Sequence, residues 1–364
     1  MIERELVVVG GGPAGLSSAI AAAESGAHVL VIDRAPILGG QLVKQTHKFF
    51  GSEQQYAKTR GFDIAKILIE KAAAFGDRIE TWTEATVVAL YPDRVLTVTR
   101  GGKYLKIHAG AIVVASGASE RFLSFENNDL PGVYGAGAVQ TLMNVYGVKP
   151  ADRVLMVGSG NIGLIVSYQL MQAGVEIAAI VEASPKIGGY KVHASKVARL
   201  GVPILTSTSI LRAEGDGRVK RAVTVSLDGA WNPIPGTEKT YEVDAVCVAV
   251  GLSPLATLLS MAGAMTHYIP EFGGHAPILT DEHESTIDSV FVAGDAAGVE
   301  EASSAMVAGR LAGLCAAKRL GHSSPDHDAK VADCHAQLQS LRNGPFGCKT
   351  CAGLAKMREV RDHA

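Results

Sequence analysis

The chain of 364 residues is long enough for two or three domains with sizeable cores, which excludes a small disulfide-stapled scaffold. Hydrophobic residues make up 47% of it and charged residues 19%, which excludes a wholly disordered chain. The formal net charge of −2 gives no general attraction to nucleic acid or to an anionic membrane.

Glycine is frequent, at 41 residues, which indicates many tight strand-to-helix turns and favours a nucleotide-binding α/β protein. Strand-like residues begin at about Glu5, which leaves no room for a signal segment. No apolar run of the sequence approaches the ~18 residues that a membrane span needs. The 5 cysteines are an odd set, which argues against structural disulfides. We therefore expect a cytoplasmic protein without direct membrane insertion.

A glycine-rich turn follows the first predicted strand. The strand covers residues 6–9, the turn covers 10–15 (GGGPAG), a small-residue helix ends at about Ser25, and a second strand covers 29–32. In dinucleotide-binding folds of this order, the first glycine permits the turn and the second lets the backbone approach a pyrophosphate. The third glycine brings the helix against the strand. The segment therefore predicts a dinucleotide-binding fold.

The same order recurs about 148 residues later. A strand at 153–157 leads into the turn 158–163 (GSGNIG), a helix that ends at about Ala173, and a strand at 177–181. An acid follows the third glycine by 18 residues in the first copy (Asp33) and by 19 in the second (Glu182). This is near the ~20 expected for the acid that hydrogen-bonds a ribose hydroxyl, although each acid is alternatively a solvated strand end.

The remaining elements complete two domains. A hairpin at 95–108 leads into a strand at 111–115, and a strand at 222–227 is followed by one at 243–250. A late strand at 289–293 has the first sheet as its natural neighbour. We therefore predict an α/β fold with two Rossmann-like dinucleotide-binding domains and a short cysteine-containing C-terminal tail. The predicted limits are 1–118 with 256–325 for the first domain, 119–255 for the inserted second domain, and 326–364 for the tail.

With these motifs the sequence resembles the thioredoxin reductase-like flavoproteins, whose two dinucleotide-binding domains are of the GR2 type, over about residues 5–320. The resemblance implies that the first glycine turn binds FAD and that a late Gly-Asp pair reaches the flavin's ribityl-pyrophosphate region. It also implies that a Gly-Gly-Gln segment at 39–41 passes beside the flavin. The FAD contacts carried over are Gly10, Gly12, Pro13, Ala14, Gly15, Asp33, Arg34, Gly40, Gln41, Gly117, Gly294, Asp295, Ser303 and Ala305.

A narrower resemblance lies in the stretches 118–121 (ASER), 129–133 (DLPGV), 137–142 (GAVQTL) and 293–299 (AGDAAGV). These are similar to the FAD subunit of opine oxidase, hydrogen cyanide synthase and dye-linked L-proline dehydrogenase complexes. The resemblance implies oxidation of amines or imino acids together with a second flavin subunit or an iron–sulfur subunit. The segment 45–51 reads more like the thioredoxin reductases, so the substrate class stays open. Homo-oligomerisation stays open as well, and nucleic acid is not expected as a partner.

Dithiol chemistry is not expected. A disulfide reductase of this architecture needs two cysteines a few residues apart, one to attack and one to resolve. Residues 40–43 contain no cysteine, and none lies between Gly163 and Ala245, which are the places where the superfamily keeps the pair. The flavin is therefore expected to exchange electrons directly with a nicotinamide, a second flavin or an iron–sulfur centre.

Few side chains near the flavin are candidates for chemistry. A helix that begins near Ser303 is predicted to be capped by the Ser303-Ser304 pair, so that its dipole stabilises the reduced flavin; alternatively it is an ordinary buried helix. His47 and Lys48 are weak catalytic candidates, since a loop His beside a Lys is usually only solvated. Glu120 and Arg121 are predicted to form an ion pair at the domain crossing rather than to bind substrate.

The second glycine turn is predicted to bind NAD(H) or another adenine nucleotide. Glu182 would repel a 2′-phosphate, which favours NAD over NADP. The predicted contacts are Gly158, Gly160, Asn161, Ile162, Gly163 and Glu182.

The tail carries Cys334, Cys348 and Cys351, the last two as a C-x-x-C pair. Three thiolates are one short of an ordinary four-ligand cluster or zinc site, and His335 or a residue of a partner is the candidate for the fourth ligand. The interpretations are an iron–sulfur cluster, a zinc site, or thiols without a metal.

Together these features predict an FAD-dependent electron-transfer oxidoreductase that is a subunit of a multi-component amine or imino-acid dehydrogenase. It would pass electrons between a substrate subunit or NADH and an iron–sulfur or other acceptor. One alternative is a free-standing NADH-dependent flavoprotein reductase. An alternative of another class is a nucleotide-binding structural subunit.

Overall fold

The computed structural model describes residues 1–49, 52–344 and 347–363. Phe50 and Gly51, which belong to the thioredoxin reductase-like segment 45–51, lie outside the described residues. The chain forms two compact units, unit 1 (Met1–Ser119 with Ser253–Ala364) and unit 2 (Glu120–Leu252). The nucleotide that each unit binds stays a prediction.

The elements are numbered in chain order over the described residues. The strands are β1 (Ile2–Val9), β2 (Val29–Ile32), β3 (Ile79–Trp82), β4 (Ala85–Leu90), β5 (Val95–Arg100), β6 (Lys103–Val114), β7 (Ala118–Glu120), β8 (Val133–Gly135), β9 (Arg153–Val157), β10 (Glu176–Val181), β11 (Ile204–Leu205), β12 (Thr208–Glu214), β13 (Arg221–Ser226), β14 (Lys239–Glu242), β15 (Ala245–Val248), β16 (Leu252–Pro254), β17 (Thr266–Ile269), β18 (Gly274–Pro277) and β19 (Val290–Val292). The helices are α1 (Pro13–Glu24), α2 (Gly61–Ala73), α3 (Ala136–Asn144), α4 (Asn161–Gln172), α5 (Lys191–Arg199), α6 (Thr257–Met261), α7 (Ala302–Arg319), α8 (His327–Arg342) and α9 (Cys348–Asp362).

The main sheet of unit 1 has the order β3-β2-β1-β6-β5-β4, and β19 pairs with β6. β1 lies parallel to β2 and β6, and β19 is parallel to β6, as expected for the late strand. The apolar runs of β1, β2 and β6 are buried at their carboxyl ends, as is typical of central parallel strands covered on both faces. The carboxyl end of β1 carries the first glycine turn, and that of β19 carries the late Gly-Asp turn.

The predicted break between 104–108 and 111–115 is wrong, because the single strand β6 runs without interruption from Lys103 to Val114. Its first half pairs antiparallel with β5, from Lys103 to His108. Its second half pairs with β1 and β19. The change from alternating to continuous burial along 103–114 therefore marks a change of neighbours and not the end of a strand.

Helices α1 and α7 of unit 1 cross so closely that their backbones are in contact. A Cβ atom on Gly309 of α7 would lie 2.1 Å from the Ala14 carbonyl oxygen, and one on Gly313 would lie 2.2 Å from that of Ser18 in α1. Only glycine permits this approach. The contact fixes α7 against α1 and so places its first turn beside the first glycine turn.

The sheet of unit 2 is parallel with the order β11-β10-β9-β15-β8, and a separate antiparallel sheet has the order β12-β13-β14. The predicted strand 243–250 is too long, because β14 of the antiparallel sheet ends at Glu242 and β15 of the parallel sheet covers only Ala245–Val248, with the division between them at 243–244. Asp244 lies at the division and accepts hydrogen bonds from the backbone N–H of Asp152 (2.8 Å) and Arg153 (2.7 Å). This carboxylate ties the start of β9 and interrupts the apolar run.

The C-terminal region is helical. Helix α8 packs against α7 with Cys334 and Leu338 in the core of unit 1, and Met357 of α9 joins the core on the other face of the sheet. Ion pairs fasten the two helices, among them Arg310–Asp333, Lys356–Glu271 and Arg358–Asp281. Among the described residues, no helix has both the length and the apolar character needed to cross a membrane.

Gly313→Ala tests the helix crossing. We expect it to lower the free energy of unfolding by about 1–3 kcal/mol, because the added methyl overpacks a backbone contact. Urea unfolding followed by circular dichroism measures this. Gly229→Ala is the matched control, since its Cβ meets no atom of the described residues within 4 Å. Equal stability of the Gly313 variant and the wild type would contradict the close contact.

Candidate functional site

The first glycine turn is held against the central strand by backbone packing. A Cβ atom on Gly10 would lie 2.3 Å from the Ala115 carbonyl oxygen, and one on Gly15 would lie 1.8 Å from that of Gly10. Gly10 also has a φ of 107°, in the region that favours glycine. These two glycines therefore shape the turn.

Gly12 differs from these neighbours because it faces open space. A Cβ atom there would meet only the Gly40 Cα, at 3.8 Å. Gly12 is the N-terminal cap of α1, and Pro13 occupies the first helical position. The unsatisfied N–H groups of the first helical turn, with the positive end of the helix dipole, form an anion-binding concavity. This geometry fits a pyrophosphate.

Asp33 clamps the turn at the end of β2. Its Oδ2 accepts a hydrogen bond from the Gly11 N–H (2.6 Å), and its Oδ1 accepts one from the Ala35 N–H (2.8 Å). The Gly39 N–H in turn donates to the Gly11 carbonyl oxygen (2.7 Å). The segment after β2 thus folds back over the glycine turn, and the neighbouring Arg34 and Gln41 are exposed.

The late Gly-Asp turn meets the first glycine turn inside unit 1. A Cβ atom on Gly294 would lie 2.8 Å from the Ala14 Cβ and 3.6 Å from the Ala305 Cβ. Asp295 accepts a hydrogen bond from the Glu300 N–H at 3.3 Å. Burial raises the pKa of Asp295 to about 6, with the Glu300 N–H opposing the rise and the Glu300 charge adding to it. The predicted contacts Ala14, Gly294 and Ala305 are therefore brought together.

The predicted serine cap of α7 is wrong. The helix begins one residue earlier, at Ala302, with Glu301 as its N-cap and no side-chain capping hydrogen bond. Ser303 and Ser304 lie inside the first turn and are buried. A helix needs its cap outside the first turn, so these hydroxyls cannot perform that role. The free N–H groups of this turn still carry the positive end of the helix dipole.

The second glycine turn repeats the first within unit 2. A Cβ atom on Gly158 would lie 2.3 Å from the Ala249 carbonyl oxygen, and one on Gly163 would lie 2.1 Å from that of Gly158. A Cβ atom on Gly160 would meet no described atom within 4 Å. Asn161 begins α4, and the following Ile162 is exposed. Gly160 is therefore the counterpart of Gly12.

Glu182 holds the second glycine turn as Asp33 holds the first, but it accepts three hydrogen bonds where Asp33 accepts two. Its Oε2 accepts from the Ser159 N–H (2.9 Å) and from Ser159 Oγ (2.7 Å), and its Oε1 accepts from the Ser184 N–H (3.0 Å). The Gly189 N–H donates to the Ser159 carbonyl oxygen (2.9 Å), as Gly39 does to Gly11.

The repeat of the strand–turn–helix–strand segment extends beyond the acids Asp33 and Glu182, which the analysis of the sequence did not find. Both acids are followed at the same spacing by a proline and a Gly-Gly pair, Pro36 with 39–40 and Pro185 with 188–189. A comparison of the two copies past the acid would have found them. The structure shows why they recur, because each pair lies on its own glycine turn.

Other predicted residues lie as follows. Gly117 has a φ of 78° at the end of the first sheet. His47 stacks on Phe49 with ring centroids 5.8 Å apart, and Lys48 is exposed. Glu120 Oε1 accepts a hydrogen bond from the Gly137 N–H at 2.6 Å. Catalytic roles for His47 and Lys48, and the ion pair between Glu120 and Arg121, stay predictions.

The three tail cysteines lie in two different environments. Cys334 is buried in the core of unit 1, and burial raises the pKa of its thiol, whereas Cys348 and Cys351 are exposed at the start of α9. Over residues 1–49, 52–344 and 347–363, no group of three or more His, Cys, Asp or Glu side chains is arranged to hold a metal ion. Cys334 thus lies in a helix core and the other two cysteines at an exposed helix start, and the three-cysteine metal site stays a prediction.

The family model of the pyridine nucleotide-disulphide oxidoreductases matches residues 4–310. The chain belongs to this family. The match spans both glycine turns and the late Gly-Asp turn. With relatives that are oxidases, it confirms the predicted FAD-dependent oxidoreductase class.

Several curated relatives are components of larger enzymes. One of the opine oxidase subunits of Agrobacterium tumefaciens (strain Ach5) is 27% identical, over 93% of this chain and 71% of the relative. The HcnB subunit of hydrogen cyanide synthase from Pseudomonas aeruginosa is 24% identical, over 92% of this chain and 76% of the relative. The alpha subunit of sarcosine oxidase from Rhizobium meliloti (strain 1021) is 28% identical over 71% of this chain, which spans only 25% of that relative.

Solved structures confirm the predicted fold class. Thioredoxin reductase of T. acidophilum has a TM-score of 0.72 at 21% identity and covers 87% of this chain and 99% of its own. L-Proline dehydrogenase from P. horikoshii has a TM-score of 0.68 at 23% identity, over 91% of this chain and 59% of its own. At these identities the likeness concerns the fold alone, which is the predicted α/β fold with two Rossmann-like domains.

Asp295→Asn tests the buried carboxyl of nucleotide-free protein. The folded pKa of about 6 lies above the ordinary value of 3.8, so the folded state binds the proton more tightly and loses stability as pH rises from about 4 to 6. Asparagine removes this cost, and we expect a gain on the order of 2 kcal/mol at pH 8 and a smaller gain at pH 5. Urea unfolding at both pH values measures it. The exposed Asp77→Asn is the control, and an equal gain at both pH values would contradict the buried ionisation.

Proposed function

We propose that this chain is the FAD-carrying electron-transfer subunit of a multi-component amine or imino-acid dehydrogenase. The observation that carries the proposal is the open concavity above Gly12, which is built from backbone and has Asp33 at one side and the Gly294-Asp295 turn beside it. The relatives supply the wider context, since several are named as subunits of oxidases.

The residues of unit 1 would divide the work of holding FAD. The N–H groups at the start of α1 would bind the pyrophosphate, and the free lone pairs of Asp33 would accept a ribose hydroxyl. Gly40 would let the backbone lie close to the flavin, Asp295 would bind the ribityl chain, and the start of α7 would favour negative charge on the ring. When bound, FAD supplies the electron-transfer chemistry.

Direct electron exchange is favoured over dithiol exchange. Cys247 and Cys315 are buried, and burial raises their thiol pKa values, that of Cys315 to about 12. A thiol held protonated is a poor nucleophile. Since no cysteine precedes Cys247 in the sequence either, neither place where the superfamily keeps its dithiol pair has one. The electrons would pass to or from a second flavin or iron–sulfur subunit.

We further propose that unit 2 retains an adenine nucleotide, with NAD favoured over NADP. Its glycine turn is covered by the segment after β10 just as the first turn is covered by the segment after β2. A site of the same build as the proposed FAD site suits a nucleotide that stays bound during turnover. This favours the multi-component enzyme over a free-standing NADH-dependent reductase, which must exchange its nicotinamide in every cycle.

Gly12→Ala and Gly160→Ala test the two sites separately. Each methyl group would enter the proposed phosphate space without meeting the described protein atoms closer than 3.8 Å. We expect Gly12→Ala to lose at least tenfold in FAD affinity and Gly160→Ala to lose only the second nucleotide. Absorbance spectra and mass spectrometry of the nucleotides released from purified protein measure both. Unchanged FAD content in Gly12→Ala protein that is as stable as the wild type would contradict the proposed site.

Anaerobic NADH addition separates the multi-component enzyme from the free-standing reductase. We expect the flavin of the purified chain to stay oxidised over minutes with one equivalent of NADH, because the proposed donor is a partner subunit. The chain purified from its native host should carry that partner in stoichiometric amount. Bleaching within seconds would instead identify the free-standing reductase. A flavin that is never reduced while the native complex turns over would identify the structural subunit.

A further inference from the structure

A cavity of about 320 Å³ lies in unit 1 beneath the C-terminal helices. Leu338 of α8 and Met357 of α9 form one side of it, and Phe272 and Leu279 of the body of the unit form another. These four side chains form an apolar face of the cavity, and polar and charged side chains line much of the rest. The volume falls at the lower end of the range of small-molecule sites.

A largely but not fully buried ion pair faces this cavity. Arg342 donates from Nη2 to Glu300 Oε1 (2.7 Å) and from Nε to Glu300 Oε2 (3.1 Å), and each side chain is only 14% exposed. Guanidinium has five N–H donors, and this pair uses two of them. Nη1 makes no hydrogen bond to any residue that the structure describes, so its donors are available to a ligand in the cavity.

His283 and Ser304 add complementary groups. His283 Nδ1 lies 2.9 Å from the Val292 carbonyl oxygen, which can only accept, so Nδ1 carries the proton and Nε2 presents a lone pair. Burial lowers the pKa of His283; the Val292 carbonyl opposes this, and the Arg342 charge adds to it. The imidazole is therefore neutral. Neither Nε2 nor the Ser304 hydroxyl has a hydrogen-bond partner among the described residues.

We propose that this cavity binds a zwitterionic α-amino acid with an apolar side chain. Arg342 Nη1 and Ser304 would bind the carboxylate, His283 Nε2 would accept a hydrogen bond from the ammonium group, and the apolar face would contact the side chain.

The charges of the cavity favour a zwitterion over a simple anion. Arg342 and Arg358 are balanced by Glu300 and Asp281, all of which line the cavity. Since these four charges cancel, an anion without an ammonium group would leave the cavity with a net negative charge beside Glu300. A zwitterion satisfies both signs at once and leaves the cavity neutral.

This inference goes beyond the proposed function and does not depend on it. Gly294 and Ala305 line the cavity and are also predicted FAD contacts, so the two ligands would share a wall. Binding is therefore measured on protein saturated with FAD, or on the purified chain as it is if FAD does not bind. If FAD does not bind, the amino-acid proposal can still be tested, and if no amino acid binds, the proposed FAD site can still be tested.

The test is isothermal titration calorimetry with L-leucine and L-phenylalanine, and with L-2-hydroxyisocaproate as the analogue that lacks the ammonium group. We expect saturable binding of at least one of the two amino acids at one site per chain, and weaker binding of the hydroxy acid. Absence of saturable binding by both amino acids would overturn the proposal. So would loss of amino-acid binding on saturation with FAD, because the cavity would then belong to the flavin.

Two variants assign the binding to this cavity. His283→Asn keeps a donor for Val292 and suits the positive φ of 65° at this position, but removes the Nε2 acceptor. Arg342→Lys keeps a charge beside Glu300 but removes the Nη1 donors. We expect each to weaken amino-acid binding roughly tenfold. His275→Asn, at an exposed residue, and Arg310→Lys, which changes the ion pair with Asp333, are the matched controls. Equal affinity of all four variants, confirmed as folded by circular dichroism, would place the ligand elsewhere and refute the assignment.

Discussion

The architecture of unit 1 depends on backbone lying directly against backbone at a few glycines. Gly10 and Gly15 set the first turn against β6 and against itself, while Gly309 and Gly313 let α7 cross α1 at the distance of a carbonyl contact. No side chain larger than hydrogen fits at these points. Because α7 follows the late Gly-Asp turn, this crossing brings residues nearly 300 positions apart in the chain to one place. The proposed FAD site is a consequence of that contact.

Both units contain a glycine turn held by the acid that follows the second strand, and the two turns differ in the hydrogen bonds that this acid accepts. In unit 1 the acid after the second strand holds two backbone N–H groups, whereas in unit 2 the equivalent acid also accepts a hydrogen bond from the Ser159 hydroxyl. Ser159 stands where unit 1 has Gly11. The extra hydroxyl engages more of the carboxylate in holding the loop. This supports a site whose covering segment stays in place around a retained nucleotide.

The region after α7 forms two helices, α8 and α9, that are part of the folded body of unit 1. As a sequence they read as a tail with three cysteines, but they pack on the body of unit 1 through apolar contacts and ion pairs. In doing so they enclose Arg342, Glu300 and His283, which no linear motif connects. Buried groups of this kind cost free energy unless each is paired, so the unused donors and acceptors stand out as binding groups.

The sequence by itself determined the elements whose signal is local. Both strand–turn–helix–strand copies, their acids and the late Gly-Asp strand follow from glycine spacing and apolar runs, since the sterics of a tight turn act over only a few residues. Tertiary structure decided which neighbours a strand takes, as in β6, and where β15 and α7 begin. It also separated Cys334 from Cys348 and Cys351 and assembled the cavity around Arg342. These outcomes depend on packing between segments far apart in the chain, and no local pattern of residues encodes such contacts.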